Sequence, residues 1–133
     1  MMGESYSVLR YSGEKTESMS LPKLENFLKF GGVQKALLIR SDGTVITHAG
    51  YPEEDSGGLL ASISLLIAES GIIAGMIQNG TLSLIFLEFD DKIVLIQEIA
   101  YNRYIVIIAN SDVNIGQISY LLKKEKLIPV SCT

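Results

Sequence analysis

Residues 56–79 read SGGLLASISLLIAESGIIAGMIQN and contain a single charged residue, Glu69. At helical spacing this stretch has an apolar stripe on one side and a ridge of small side chains on the other. The apolar stripe consists of Leu59, Ile63, Leu66, Ser70, Ile73 and Ile77. The small-residue ridge consists of Ala61, Ser64, Ala68, Gly71 and Gly75. Because a surface helix of a monomer normally has charged residues on its second side, we predict a long helix that is covered on both sides.

The small-residue ridge allows a second helix backbone to approach closely. Gly71 and Gly75 each cost a helix about 0.5–1 kcal/mol relative to Ala, so their presence calls for a packing reason. The ridge can pack against another helix of the same chain, face water, or pack against a second copy. Since 47% of the residues are hydrophobic, more apolar surface is available than one core of this size needs. We therefore favour packing between copies, as exposed apolar surface usually marks an interaction site.

A membrane span is another interpretation of the same stretch, because a span needs about 17–25 apolar residues. However, residues 59–76, the part long enough to span, include three serines as well as Glu69. A central acidic residue costs about 2.5–3.5 kcal/mol on insertion scales. The upstream flank, residues 53–55, is acidic rather than basic. We therefore expect no stable membrane insertion.

Upstream of this helix, residues 33–50 read VQKALLIRSDGTVITHAG. Runs 33–40 and 44–48 are rich in β-forming residues and flank Ser41-Asp42-Gly43, which predicts a hairpin. Before it, Leu21, Leu24, Phe27 and Leu28 follow helical spacing, with Ser20 as the N-cap. Gly31 and Gly32 end this short helix.

Downstream, three apolar runs at 82–89, 93–99 and 104–109 are joined by links short enough for antiparallel hairpins. A last helix is predicted at 113–124, capped by Ser111 or Asp112. Helices and antiparallel strands in this order predict an α+β fold, an α/β/α sandwich. We assign residues 21–126 to this domain, residues 1–20 to a flexible N-terminal extension and residues 127–133 to a C-terminal tail.

The sequence offers little for catalysis or cofactor binding. Among its 133 residues there is one histidine, His48, and one cysteine, Cys132, too few for a zinc site or for a base held by an orienting group. No phosphate-binding glycine motif is present. The net charge of -4 disfavours a nucleic-acid partner. We expect a protein that is not an enzyme, has no cofactor or metal and, lacking a signal pattern at its start, is cytoplasmic.

The order of elements and the phrases VQKALLIRSDGTVITHAG (33–50) and VNIGQISYLLKK (113–124) resemble the Roadblock/dynein-light-chain family over residues 21–124. The resemblance implies a five-stranded antiparallel sheet with the long helix alone on one face and the two shorter helices on the other. It also implies a homodimer in which the long helices pack antiparallel and the sheet continues through the edge strand at 82–89. The dimer interface then includes Ala61, Ser64, Ala68, Gly71, Gly75, Leu84 and Phe86.

In function, the resemblance implies a non-enzymatic regulator or scaffold that binds a Ras-like small GTPase, as in the bacterial or archaeal members. Candidate partner-binding residues flank the small-residue ridge: Leu60, Leu65, Ile67 and Ile72. One alternative is a light-chain or scaffold subunit of a motor or trafficking complex. Another is a small-molecule sensor domain, which would need a cavity with a few converging polar groups.

Overall fold

The chain folds in the predicted order of helix, two strands, long helix, three strands and helix. The computed structural model describes residues 23–50, 57–78, 80 and 82–125. The helices are a 3-10 helix at Leu24–Lys29, α1 at Gly57–Met76 and α2 at Ile115–Glu125. The strands are β1 (Val33–Ile39), β2 (Val45–Gly50), β3 (Leu84–Glu88), β4 (Lys92–Ala100) and β5 (Arg103–Asn110). The predicted extension at 1–20 and the predicted tail at 127–133 lie outside the described residues.

The five strands form one sheet in the order β2-β1-β5-β4-β3. Every pair of neighbouring strands is antiparallel, which confirms the predicted sheet and places β3 at one edge. The predicted hairpin turn is also confirmed. The amide of Gly43 donates to the carbonyl oxygen of Arg40 at 2.9 Å. The amide of Thr44 donates to the Asp42 carboxylate at 2.9 Å.

Each face of the sheet has its own hydrophobic core, because the strand side chains alternate between the two faces. One face is covered by the 3-10 helix and α2, through Phe27, Ile118 and Leu122, which are fully buried. The other face is covered by α1, whose side chains pack on Leu37, Ile39, Ile96, Tyr104 and Val106. Among the described residues α1 is the only helix on its face, as the family resemblance implied.

Two helix starts differ from the prediction. The first helix is a 3-10 helix rather than an α-helix, and its N-cap Lys23 makes no side-chain cap hydrogen bond. The predicted cap, Ser20, lies outside the described residues. The last helix is capped by Asn114, whose Oδ1 accepts a 3.0 Å hydrogen bond from the amide of Gln117. Residues 110–113 instead form a turn closed by a bond from the amide of Val113 to the oxygen of Asn110, so the predicted cap at Ser111 or Asp112 was wrong.

Strand β2 continues two residues past its predicted end at His48. Gly50 pairs with Lys35 and has a φ of 109°, a conformation that L side chains rarely adopt. A Cβ at this position would collide with the carbonyl oxygen of Gln34 and the Cα of Lys35. The glycine therefore permits the close approach of β2 to β1 at the end of the ladder, instead of ending the strand.

Candidate interaction surface

The side of α1 that faces the sheet lies between the apolar stripe and the small-residue ridge predicted from the sequence. Its buried residues are Leu60, Ile63, Ile67 and Ala74, at spacings of three, four and seven. Only Ile63 of the predicted apolar stripe belongs to this line. The rest of that stripe is partly or largely exposed, with Ser70 half-buried and Ile73 at 55%. The helix is therefore rotated by roughly a quarter turn from the orientation in which either predicted stripe would face the sheet.

The turn between β1 and β2 fixes the first half of α1. The hydroxyl of Ser64 donates a hydrogen bond to the main-chain oxygen of Ser41 at 2.7 Å. A Cβ on Gly43 would lie 3.1 Å from the main-chain oxygen of Leu60, which shows how closely the turn approaches the helix. The same turn is held from the other side, because Asn102 Oδ1 accepts from the amide of Ser41 at 2.9 Å. The orientation of α1 is thus set by polar contacts as well as by its apolar residues.

The side of α1 opposite the sheet carries an exposed row at helical spacing, here called the outer row: Leu65, Glu69, Ile72 and Met76. Leu65 is 69% exposed and Met76 is 76% exposed. Glu69 is the sole charged residue of the helix. Exposed apolar surface of this extent on a monomer usually marks a site of association.

The small-residue ridge lies along one flank of the outer row. Ala61, Ala68, Gly71 and Gly75 are exposed, whereas Ser64 is half-buried by its bond to the turn. An added Cβ at Gly71 or Gly75 would meet no atom of the described residues within 4 Å. No packing within the described part of the chain therefore explains these two glycines.

The edge strand β3 adds a second exposed apolar surface. It pairs with β4 on one side, and its side chains Leu84 (38%) and Phe86 (41%) are exposed on the face that carries α2. On the other face Ile85 packs at the margin of the core beneath α1. An apolar edge strand offers unpaired main-chain groups to another strand.

Most of the predicted dimer-interface residues are exposed in the structure, but two of the predicted partner-binding residues are buried. Leu65 and Ile72 are exposed, as expected of contact residues. Leu60 and Ile67, however, are 8% and 7% exposed and pack against the sheet, so this assignment was wrong. Met76 was missed, although continuing the spacing of four and three residues from Leu65 through Ile72 leads to it.

The described residues contain no group of three or more His, Cys, Asp or Glu side chains that could hold a metal ion. The side chains with a shifted pKa lie on the strands and in the hairpin turn. Hydrogen bonds from Thr44 lower the pKa of the Asp42 carboxyl in the hairpin turn. Burial lowers the pKa of Lys35 on β1.

By length and composition, the segment Gly58–Met76 could also cross a membrane. Three of its side chains, Leu60, Ile63 and Ile67, pack against the sheet within the domain, and 22% of the segment is buried. One such helix is weak evidence for a membrane protein, because core helices pass the same test.

The fold and this surface define a class of protein: an α/β/α sandwich domain whose long helix and edge strand are apolar and exposed. The sequence profile of the Roadblock/LC7 domain matches residues 23–109. The chain belongs to the Roadblock/LC7 family. No curated protein sequence matches it.

Solved structures of the family share the fold at low sequence identity. MglB in a tetrameric arrangement is 18% identical, covers 77% of this chain and 79% of its own, and superposes with a TM-score of 0.69. Myxococcus xanthus MglB is 19% identical over 71% and 77% of the two chains, with a TM-score of 0.65. A Roadblock/LC7 domain from Streptomyces avermitilis is 14% identical over 74% and 82%, with a TM-score of 0.58. At these identities the similarity shows the fold alone.

Proposed function

We propose that this chain is a cytoplasmic, homodimeric, non-enzymatic regulator or scaffold that binds a Ras-like small GTPase. The observation that carries the proposal is the exposed apolar surface formed by the outer row and the small-residue ridge of α1, together with the exposed apolar side chains of the edge strand β3. Membership of the Roadblock/LC7 family supports it, because the family resemblance of the sequence implies GTPase partners.

Self-association is supported by the ridge and the edge strand together. Gly71 and Gly75 leave room for a second helix backbone to approach, and no atom of the described residues fills that room. Leu84 and Phe86 on β3 would be covered if the sheet continued into a second copy. A similar solved structure, MglB, is described in a tetrameric arrangement, which is consistent with association in this fold.

The outer row is the part of α1 that we assign to the partner. If the ridge packs against a second copy, Leu65, Ile72 and Met76 remain on the side opposite the sheet. The row is apolar apart from Glu69, so its complement is an apolar groove with one basic side chain placed to meet that carboxylate. Since four α1 side chains belong to the core of the domain, we also propose that the helix does not insert stably into a membrane.

Affinity capture from a lysate of the source organism tests the partner. The immobilised protein is loaded with lysate in the presence of either a non-hydrolysable GTP analogue or GDP, and retained proteins are identified by mass spectrometry. We expect a small GTPase to be retained preferentially with one nucleotide. Retention of a nucleotide-insensitive assembly without a GTPase would favour the light-chain or scaffold alternative.

Two variants show whether the retained protein uses the outer row. Ile72→Asp places a charge in the row and should abolish retention. Tyr101→Asp, in the β4–β5 turn at a side chain 89% exposed, adds the same charge elsewhere and should leave retention unchanged. Light scattering on both variants checks that the dimer persists. Equal retention by Ile72→Asp and wild type would contradict the assignment of the outer row.

A further inference from the structure

A groove lies on the face of the sheet opposite α1, between the end of the 3-10 helix and α2. Its volume is about 540 Å³, and it is lined by Phe30, Asn114, Gly116, Gln117, Tyr120 and Leu121. Most of its surface is apolar, and it is open to solvent along one side. Oδ1 of Asn114 already accepts the cap hydrogen bond from the amide of Gln117. The groove therefore suits apolar side chains of a protein segment better than a small polar ligand, which needs converging polar groups.

The groove follows one side of α2 to the last turn of the helix. Ile118 and Leu122 face the sheet and are fully buried, whereas Tyr120, on the groove side, is 66% exposed. One turn further, the Nζ of Lys124 lies 5.6 Å from the centre of the Tyr120 ring. The apolar wall of the groove thus has an ammonium group beside it at the end of the helix.

The charges beside the groove differ between its two ends. Asp112 is exposed just before the start of α2, whereas Lys124 is exposed at its end. Glu125, the acidic residue of the same last turn, lies about 100° around the helix from Lys124, toward the side that faces the sheet. Lys29, next to the lining residue Phe30, is exposed and also basic. The groove therefore favours an acidic ligand at its Lys124 end, although the chain has a net charge of -4.

The length of the groove along α2 sets the length of segment that it can hold. Asn114 and Lys124 are ten residues apart, which is about 15 Å along a helix axis. An extended chain rises about 3.3 Å per residue, so about five residues cover this length. Such a segment directs alternate side chains to the same side, so two or three of them can enter the groove.

We propose that this groove binds an extended acidic and apolar segment of a partner protein. Large apolar side chains of the segment lie against Phe30, Tyr120 and Leu121, and a carboxylate of the segment lies beside Lys124. Repulsion by Asp112 opposes the reverse placement of the carboxylate. Because the groove and α1 are on opposite faces of the sheet, this site is separate from the proposed GTPase surface, and its test can fail without affecting that proposal.

Selection from a phage-displayed library of random peptides tests the chemistry of the ligand. Peptides are selected on the full-length protein, and those that also bind the variant Tyr120→Ala are removed. We expect the remaining peptides to share two large apolar residues at alternate positions and an Asp or Glu on one side of them. A remaining set that lacks this pattern, or that is enriched in basic residues, would overturn the proposal.

Matched variants show whether a selected peptide uses the groove, with its affinity measured by fluorescence anisotropy at physiological ionic strength. Tyr120→Ala should weaken binding about tenfold. Tyr101→Ala, which truncates an exposed tyrosine in the β4–β5 turn, should not. Lys124→Glu should weaken binding about threefold or more. Lys123→Glu makes the same charge change about 100° around the helix, away from the groove, and should have little effect. Equal losses for the two lysine variants would overturn the placement of the carboxylate.

NMR spectra of isotope-labelled protein locate the bound peptide. Addition of the peptide should shift the amide signals of Gly116, Gln117 and Leu121. Shifts confined to α1 would overturn the proposal, because the peptide would then bind the outer row. The same three signals should not move when the free protein is diluted. Movement on dilution would also overturn the proposal, since a second copy would then occupy the groove.

Discussion

The hydroxyl of Ser64 in α1 donates a 2.7 Å hydrogen bond to the main-chain oxygen of Ser41 in the β1–β2 turn. Ser64 is a member of the small-residue ridge, and it thus has a role within its own chain as well as a place beside the proposed dimer interface. The bond ties the long helix to the hairpin, and through the bond between Asn102 and Ser41 to the β4–β5 turn as well.

Replacing Ser64 by Ala removes this bond and leaves the Ser41 oxygen without its helix partner. We expect the free energy of unfolding to fall by about 0.5–1.5 kcal/mol relative to the matched variant Ser62→Ala, measured by urea denaturation at one protein concentration. Ser62 is on the exposed side of the same helix, so both variants gain the same helix propensity. Equal stability of the two variants would show that the bond contributes nothing.

Replacing Gly71 by Ala should stabilise the fold of one copy but weaken the association of two copies. Within one copy the added methyl group meets no described atom, so the helix should gain about 0.5–1 kcal/mol of stability. Between two copies the same methyl group holds the helix backbones apart and should weaken dimerisation, measured by sedimentation equilibrium. Gly58→Ala, which also has open space around it, should stabilise the helix without weakening the dimer. Unchanged dimerisation of Gly71→Ala would remove the ridge from the interface.

Replacing Ala68 by Glu places a charge at the centre of the ridge, and in a symmetric pair it places two. Because burying an unpaired charge is costly, the protein should shift toward monomer or aggregate. Light scattering measures the mass, with Ser62→Glu as a control of equal charge on another side of the helix. A dimeric mass for Ala68→Glu would contradict this interface.

Because of the orientation of α1, we expect a large loss of stability at one aliphatic residue and a small change at another nearby. Ile67→Ala removes a buried side chain and should cost about 2–5 kcal/mol of unfolding free energy. Leu65→Ala removes an exposed side chain and should change the stability of the monomer by about 0.5 kcal/mol or less. Thermal or urea unfolding at low protein concentration distinguishes the two. A larger loss for Leu65→Ala would mean that the helix faces the sheet with its other side.

Tyr104 predicts a loss of stability at alkaline pH. Burial, and then the charges of Glu98 and Tyr101, raise the pKa of the Tyr104 hydroxyl. Because this hydroxyl ionises less readily in the folded chain, the unfolded chain binds fewer protons than the folded chain at alkaline pH. The free energy of unfolding therefore falls as the pH rises above about 10. Tyr104→Phe should be less sensitive to pH in this range, as measured by urea unfolding. An absorbance titration should also lose a tyrosine step in this variant, and an unchanged titration would contradict the assignment.

The order of elements could be predicted because it rests on local signals. The Ser41-Asp42-Gly43 turn and the short links between the last three strands leave few alternatives to antiparallel pairing. The neighbouring position of β1 and β5 in the sheet could not be derived from local signals, because residues distant in sequence form it. The sequence analysis therefore did not predict it.

The orientation of α1 was the main error, and its cause is physical. Periodicity indicates which residues share a side of a helix, but almost every side of α1 is apolar or small, so no polar side marks the solvent. The deciding contacts, from Ser64 to Ser41 and from Leu60 to the turn at Gly43, join residues that lie far apart in sequence. Leu60 and Ile67 were therefore assigned to the surface, and Met76 was overlooked.

The near absence of charge on α1 affects how specifically this protein could pair with a second copy of itself rather than with a related chain. Pairing between paralogues is commonly prevented by like charges or steric clashes at the seam. A ridge of alanine, serine and glycine beside a single Glu69 contains little that could repel a close relative. If the chain dimerises through this ridge as proposed, two such chains made in one cell would form mixed pairs, and the set of assemblies would depend on which chains are expressed and in what ratio.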